Sequence, residues 1–359
     1  MRHFARVSFY QKILLNLSLI MFCGLLFIIT CLVTRLASGF VFDSNVFPRL
    51  QWENNAGYCG EVSTIMAGLK YGQYFSQYDV REIAAATENN VQTSTEYLVG
   101  VNDEYAAKNL RLAAIEFDST QAGNADGYLA WLKKMTRSGY VPTLTVYMNY
   151  YMFYGSTNPN AGDAEYDHIV SVSKIYSDFD DDLYHDNDII TIEDHGLWAP
   201  KTTGPQYLFN YTFVEFKGTR EEANTPTGNI YTLPSSQTTK NYGITHTGPL
   251  DSSHELMPVT VTTSVNYENP VIARNSNSRP DPMPLNITVT VSGLTSGIQY
   301  VMYKYDDENK VPTGSFNRNS GAAKRVYPFQ GSETGVYSVM ESILSSDKAI
   351  YRAVRNTAP

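Results

Sequence analysis

Three hydrophobic patterns follow one another along this chain, and each predicts a different kind of element. The first is the uncharged run Ile13 to Val33, preceded by Arg2, Arg6 and Lys12 and followed by Ala37-Ser38-Gly39. A basic start, an apolar stretch and small residues predict a membrane-targeting segment over 1–39, cleaved as a signal. The run is also long enough to stay in a bilayer as an anchor, and either way the basic flank puts the remainder outside the cytoplasm, secreted or lumenal.

The second pattern has helical spacing. Val62, Ile65, Met66 and Leu69 recur at i, i+3, i+4 and i+7 within Glu61–Tyr71, with Gly72 as a stop, and Asp79–Thr87 and Asp126–Arg137 behave alike. The third is period two. Val141–Met148, His168–Ile175 and Asp188–Asp194 alternate and are rich in β-branched residues, as are Val259–Val265, Ile287–Val291 and Gln299–Tyr305, the last two separated by the turn Gly293–Gly297. Helices followed by strands predict an α+β domain over 40–220, with a helix packed on an antiparallel sheet. Thr, Ser, Pro, Gly and Asn dominate 221–257, which reads as a linker. Residues 258–359 read as a small β-sandwich.

Composition narrows the functional classes. The net charge is -9, and no basic run is interleaved with aromatics, which argues against nucleic-acid binding. Two of the three cysteines, Cys23 and Cys31, lie in the apolar run, so Cys59 has no partner for a disulfide in the remainder. Asn210-Tyr-Thr and Asn286-Ile-Thr are acceptor sequons of a kind that suits a secreted glycoprotein.

Cys59 sits in Gln51-Trp-Glu-Asn-Asn-Ala-Gly-Tyr-Cys-Gly-Glu and opens the first helical pattern. The positive end of a helix favours a thiolate, the form that acts as a nucleophile. Thiolate hydrolysis also needs a base, a group that orients the base, and donors for the oxyanion. His168 heads one strand and Asp194 ends the next, so a hairpin through Tyr176–Asn187 brings them to the same end. Gln51 offers an amide to the oxyanion beside the backbone N–H of Cys59. His195 competes with His168 for the role of base, but it neighbours Asp194 and should point to the opposite face. Glu53 and Glu61 read as solvated or capping carboxylates. The series Asp178, Asp180, Asp182 begins like a calcium loop, yet Leu183 replaces the required glycine and Ile189 the bidentate glutamate, so no metal is expected there. In the aromatic run Tyr147–Tyr154, part should be core and the far end a wall or lid facing substrate.

Gln51, the Gly-Tyr-Cys59-Gly approach, His168 and Asp194 together resemble the papain-like cysteine peptidase superfamily, and most closely its bacteriocin-processing, double-glycine leader peptidase branch. The resemblance covers Gln51 to Trp198. It implies that Cys59 is the nucleophile, His168 the general base and then acid, Asp194 the orienting group and Gln51 the oxyanion donor, with no cofactor and a peptide or protein substrate. The chain departs from that branch in having no transporter portion and in the wider spacing of Gln51 from Cys59, which brings in Asn54 and Asn55 as substitute donors. The same triad would serve an acyl transferase or amidase, and a binding or adhesion protein could keep the fold without the chemistry. Oligomeric state is not legible from the sequence.

Overall fold

The computed structural model describes residues 39–47, 57–85, 96–117, 124–195, 206–234, 240–251, 254–265, 281–318 and 320–357. The targeting segment, Gln51, Glu53, Asn54, Asn55 and Trp198 lie outside them. Among the described residues no helix is long and apolar enough to cross a membrane. The described residues fall into two units, a small one with 39–41 and 176–180 and a large one with the others. Cys59, His168, Asp194, His195 and Tyr231 all lie in the large unit.

In chain order the elements are β1 (Phe40–Asp43), α1 (Cys59–Lys70), β2 (Gln73–Tyr74), α2 (Gln77–Ala85), α3 (Asp103–Asn109), β3 (Leu112–Glu116), α4 (Ala125–Arg137), β4 (Val141–Met148), α5 (Tyr150–Tyr154) and β5 (His168–Ser177). They continue with β6 (Ile189–Glu193), β7 (Leu208–Thr212), α6 (Phe213–Phe216), β8 (Lys217–Gly218), α7 (Arg220–Ala223), β9 (Tyr231–Pro234), β10 (Gly243–Pro249) and β11 (Leu256–Met257). The last are β12 (Val259–Thr263), β13 (Pro284–Val291), β14 (Gln299–Tyr305), β15 (Arg325–Gln330), β16 (Tyr337–Leu344) and β17 (Ala349–Arg355). The fold is mixed α+β with antiparallel sheets, as the two periodicities predict.

The main sheet runs β3-β10-β4-β5-β6-β7. Helix α4 follows the predicted stripe, burying Tyr128, Leu129 and Leu132 with Val146, Val170, Ile190 and Ile192 in one core. Helix α1 is buried almost throughout, with Val62, Met66 and Ala67 packed around Val141 of β4.

The interval 221–257 is not a linker. It supplies β9, which pairs with β4, and β10, which lies between β3 and β4 with Ile244 opposite both Thr143 and Glu116. Its residues look like loop because the ladder, rather than apolar side chains, holds β10 in place: Thr245 and His246 are fully buried there beside a single apolar Ile244. Nor are the C-terminal strands set apart from the helices. Strand β2, which follows α1 directly, pairs with β17, and Tyr351 N donates to Gly72 O at 2.8 Å. Gly72 has φ +76, and a Cβ there would come within 2.8 Å of Val259, so only glycine lets the helix end approach β12 this closely. The sheets β12-β13-β16 and β11-β17-β14-β15 share one core with Ile65, Leu69 and Tyr74. Buried Arg352 of β17 adds a polar tie, with Nε to Asp251 Oδ2 at 2.7 Å and Nη2 to Gln73 Oε1 at 3.2 Å.

Candidate active site

The segment before α1 is shaped by two glycines. Gly57 takes φ +62, where an L side chain is strained, and its carbonyl accepts from Arg81. At Gly60 a Cβ would fall 2.4 Å from the Tyr97 ring and 2.6 Å from the Tyr97 carbonyl, so the helix start lies against the chain at 97 with no room for a side chain. Between them Cys59 occupies the first position of α1, half-buried and unpaired with any cysteine among the described residues. The first N–H groups of a helix have no acceptor within it, so they and the helix dipole face an anion at this position.

Glu61, the next acid, is not solvated as expected. Its side chain is fully buried, taking Arg81 Nε at 2.7 Å and Tyr97 N at 3.1 Å. Burial pushes its carboxyl up to about 7, while the Arg81 guanidinium and the Tyr97 N–H pull it back. Its contacts tie α1 to α2 and to the chain at 97, which makes it a structural carboxylate near Cys59.

His168 heads β5, opposite Val146 of β4. The approach to it is pinned by Asp167, which accepts from Met148 N at 2.8 Å and from Asp163 N at 2.7 Å and pairs with Arg220. The ring of Arg220's other neighbour, Tyr147, lies 3.7 Å beneath the guanidinium. The His168 ring is buried, with Nε2 at 3.0 Å from Asp194 Oδ1 and a hydrogen bond to Cys59. Asp194 follows the end of β6, the strand beside β5, so the two residues meet where the hairpin places them. Burial opposes the imidazolium, but the hydrogen bonds to Asp194 and Cys59 and the charges of both prevail, raising His168 to about 10. Burial likewise opposes the Asp194 carboxylate, and the His168 hydrogen bond and charge, with the Tyr231 hydroxyl, hold it below the usual carboxylate range.

Two neighbours complete the surroundings. Tyr231 donates to Asp194 Oδ2 at 2.7 Å and stacks on the His168 ring, with centroids 5.6 Å apart. His195 packs edge-on to His168 at 5.2 Å, but its Nε2 donates to Ile169 O at 2.9 Å. Burial and the His168 charge lower it to about 4, so it is a neutral ring at neutral pH and holds no proton for transfer. Sequence reasoning missed Tyr231 because it falls in the interval taken as linker. Ile230-Tyr-Thr-Leu between turn residues was the available signal, a short β-favouring run.

The structure thus brings together three of the four predicted site residues, Cys59, His168 and Asp194, and the fourth, Gln51, lies outside the described residues. The aromatic run divides in part as expected: Tyr147, Met148 and Phe153 are buried, whereas Tyr154 at the end of α5 is exposed. After β5, Lys133 Nζ lies 3.0 Å from Asp181 Oδ1 and 2.9 Å from Asp188 Oδ2, and Arg137 pairs with Asp182. Among the described residues, His168, Asp194 and His195 cluster their donor atoms within 4.8 Å of one another, the kind of group that could hold a metal ion. Comparison of the chain with models of protein families, with curated proteins and with solved structures finds no match in any of the three.

Proposed function

We propose that this chain is a cysteine peptidase of the papain-like kind, acting on peptide or protein substrates outside the cytoplasm. The observation that carries the reading is the line of contacts from Cys59 at a helix start, through a buried His168, to the buried carboxylate of Asp194. A histidine held as a cation at neutral pH beside a sulfur at a helix N-terminus favours a thiolate-imidazolium pair. Cys59 Sγ attacks the carbonyl carbon of the scissile amide, and the electron pair of the C=O moves onto oxygen, facing the backbone N–H of Cys59. His168 then gives its proton to the departing amine nitrogen as the C–N bond breaks. In the second half, neutral His168 takes a proton from water as the water oxygen attacks the thioester, and the released thiolate restores the pair. Asp194 keeps the imidazole in the orientation and tautomer that these transfers need.

The contacts among Cys59, His168 and Asp194 support this reading, and Gln51 joins it as the proposed oxyanion donor. Incubation of the chain lacking 1–39 with a fluorogenic peptide library tests the proposal. Hydrolysis by the wild type that disappears in Cys59→Ala supports it. Equal hydrolysis by the variant, or peptide binding with no turnover by either, contradicts it, the second outcome favouring a binding protein.

A further inference from the structure

His195 is fully buried, and its Nδ1 is without a hydrogen-bond partner among the described residues. A carbonyl can only accept, so the 2.9 Å contact with Ile169 O fixes the proton on Nε2 and leaves a lone pair on Nδ1. That lone pair lies 4.0 Å from Asp194 Oδ1, which also accepts the His168 Nε2 hydrogen bond. Two acceptors thus face each other in a fully buried setting, an arrangement that costs free energy unless a cation or donor sits between them. The other oxygen of Asp194 is occupied by Tyr231, so Oδ1 is the oxygen turned to both histidines.

We propose that His168 Nε2, Asp194 Oδ1 and His195 Nδ1 form a site for a divalent transition ion of the zinc type, and that the ion arrests the site by replacing the proton shared between His168 and Asp194. Two imidazoles and one carboxylate are a donor set suited to such ions, and neutral imidazole is the ligating form. A tetrahedral ion with bonds of about 2.0–2.2 Å asks for donors roughly 3.3 Å apart. The present spacings are 3.0 Å between His168 and Asp194 and 4.0 Å between Asp194 and His195, with all three atoms inside 4.8 Å. Seating the ion therefore requires ring shifts on the order of 1 Å. The balance is simple: one proton leaves His168 Nε2 for solvent, the metal takes its place on that nitrogen, and no electron changes hands. With metal on Nε2 and a proton on Nδ1, the ring has no lone pair left to accept a proton from water, so the acyl-enzyme cannot be hydrolysed. Binding depends only on the three side chains, whereas the arrest rests on the peptidase reading.

The test uses Zn2+ and Co2+ as probes and is made first on Cys59→Ser, where activity plays no part. Calorimetry should show one Zn2+ per chain, and Co2+ should give visible d–d bands without sulfur-to-metal charge transfer. His195→Gln, which can still donate to the Ile169 carbonyl, should weaken Zn2+ more than about tenfold. In the chain that keeps Cys59, the same substitution should leave peptide hydrolysis intact while removing its inhibition by micromolar Zn2+, an inhibition that a chelator reverses. Should His195→Gln fail to fold, replacement of the other described histidines at 185, 246 and 254 by Gln, one at a time in the Cys59→Ser chain, must leave binding unchanged. Zn2+ affinity unaltered by His195→Gln, or binding lost on replacing Cys59, would overturn the site. Absence of hydrolysis alongside intact metal binding would instead overturn the peptidase reading and leave the site standing.

Discussion

The end of the main sheet that carries His168 and Asp194 and the inward face of β13 in the C-terminal sheets are both buried but with opposite chemistry. Around His168 the buried groups are Asp194, His195 and Tyr231, each placed by a specific hydrogen bond. On β13 the buried groups are Leu285, Ile287, Val289 and Val291, placed by alternation alone. Burial of apolar surface is non-directional and stabilises in proportion to area, whereas a buried polar group is favourable only if each partner stays in position. One region therefore specifies stability, and the other specifies geometry.

That contrast predicts where a substitution shows. The largest effect should be in hydrolysis: Cys59→Ala or His168→Ala should each abolish it, and the double variant should be no worse than either, since triad members act as a unit. Circular dichroism should find both variants folded. Ile287→Ala is the mirror case. It should cost about 2–5 kcal/mol in denaturant unfolding because a buried side chain is lost from a shared core, while hydrolysis per folded molecule stays at the wild-type rate. Loss of hydrolysis in folded Ile287→Ala would break the comparison.

Next in size is Asp194→Asn, which keeps a hydrogen bond to His168 and loses the charge. Hydrolysis should fall by about 10². The wild-type profile should hold its activity through neutral pH and decline as pH rises through about 10, where His168 gives up its proton. In Asp194→Asn that alkaline limb should move to lower pH. The stability sign is the same: a histidine raised in the folded state contributes fully below its unfolded value near 6.5, and that contribution is lost as pH rises through about 10.

Neutral buried histidines have the reverse sign. His246 on β10 is lowered to about 4 by burial, so the unfolded chain takes up a proton between about 6.5 and 4 that the folded chain refuses. Stability should fall as pH drops through that window, by up to about 3 kcal/mol from this group. His246→Leu should flatten that part of the curve, and equal acid slopes in the two proteins would contradict the assignment. The smallest effect should come from Tyr231→Phe, which removes one hydrogen bond to Asp194 Oδ2, costing about 1–3 kcal/mol in stability and a few-fold in turnover.

The same contrast explains what was legible in the sequence. Helices α1 and α4 and strands β4, β5, β13 and β14 follow from periodicity, because each buries one continuous apolar face or run. Cys59, His168 and Asp194 could be singled out because the proposed chemistry asks for particular residue types at element ends, and the strand ends bring His168 and Asp194 together. Strand β10 could not, since Gly-Ile-Thr-His carries no apolar pattern and is fixed by ladders on both sides. The shared core was hidden for a related reason: the two-residue strand β2 joins α1 to β17, and no local pattern announces a pairing across that separation. The burial of Glu61 depends on Arg81, twenty residues away, and is invisible until α2 folds back on α1.

The central claim is that His168 and Asp194 activate Cys59, and the rate of covalent capture at this sulfur tests it most directly. A peptidyl vinyl sulfone should label the wild type at neutral pH on the single tryptic peptide that contains Cys59, as read by mass spectrometry. The second-order rate constant should fall by about 10² or more in His168→Ala and by a smaller factor in Asp194→Asn. Equal labelling rates in all three proteins would contradict the account.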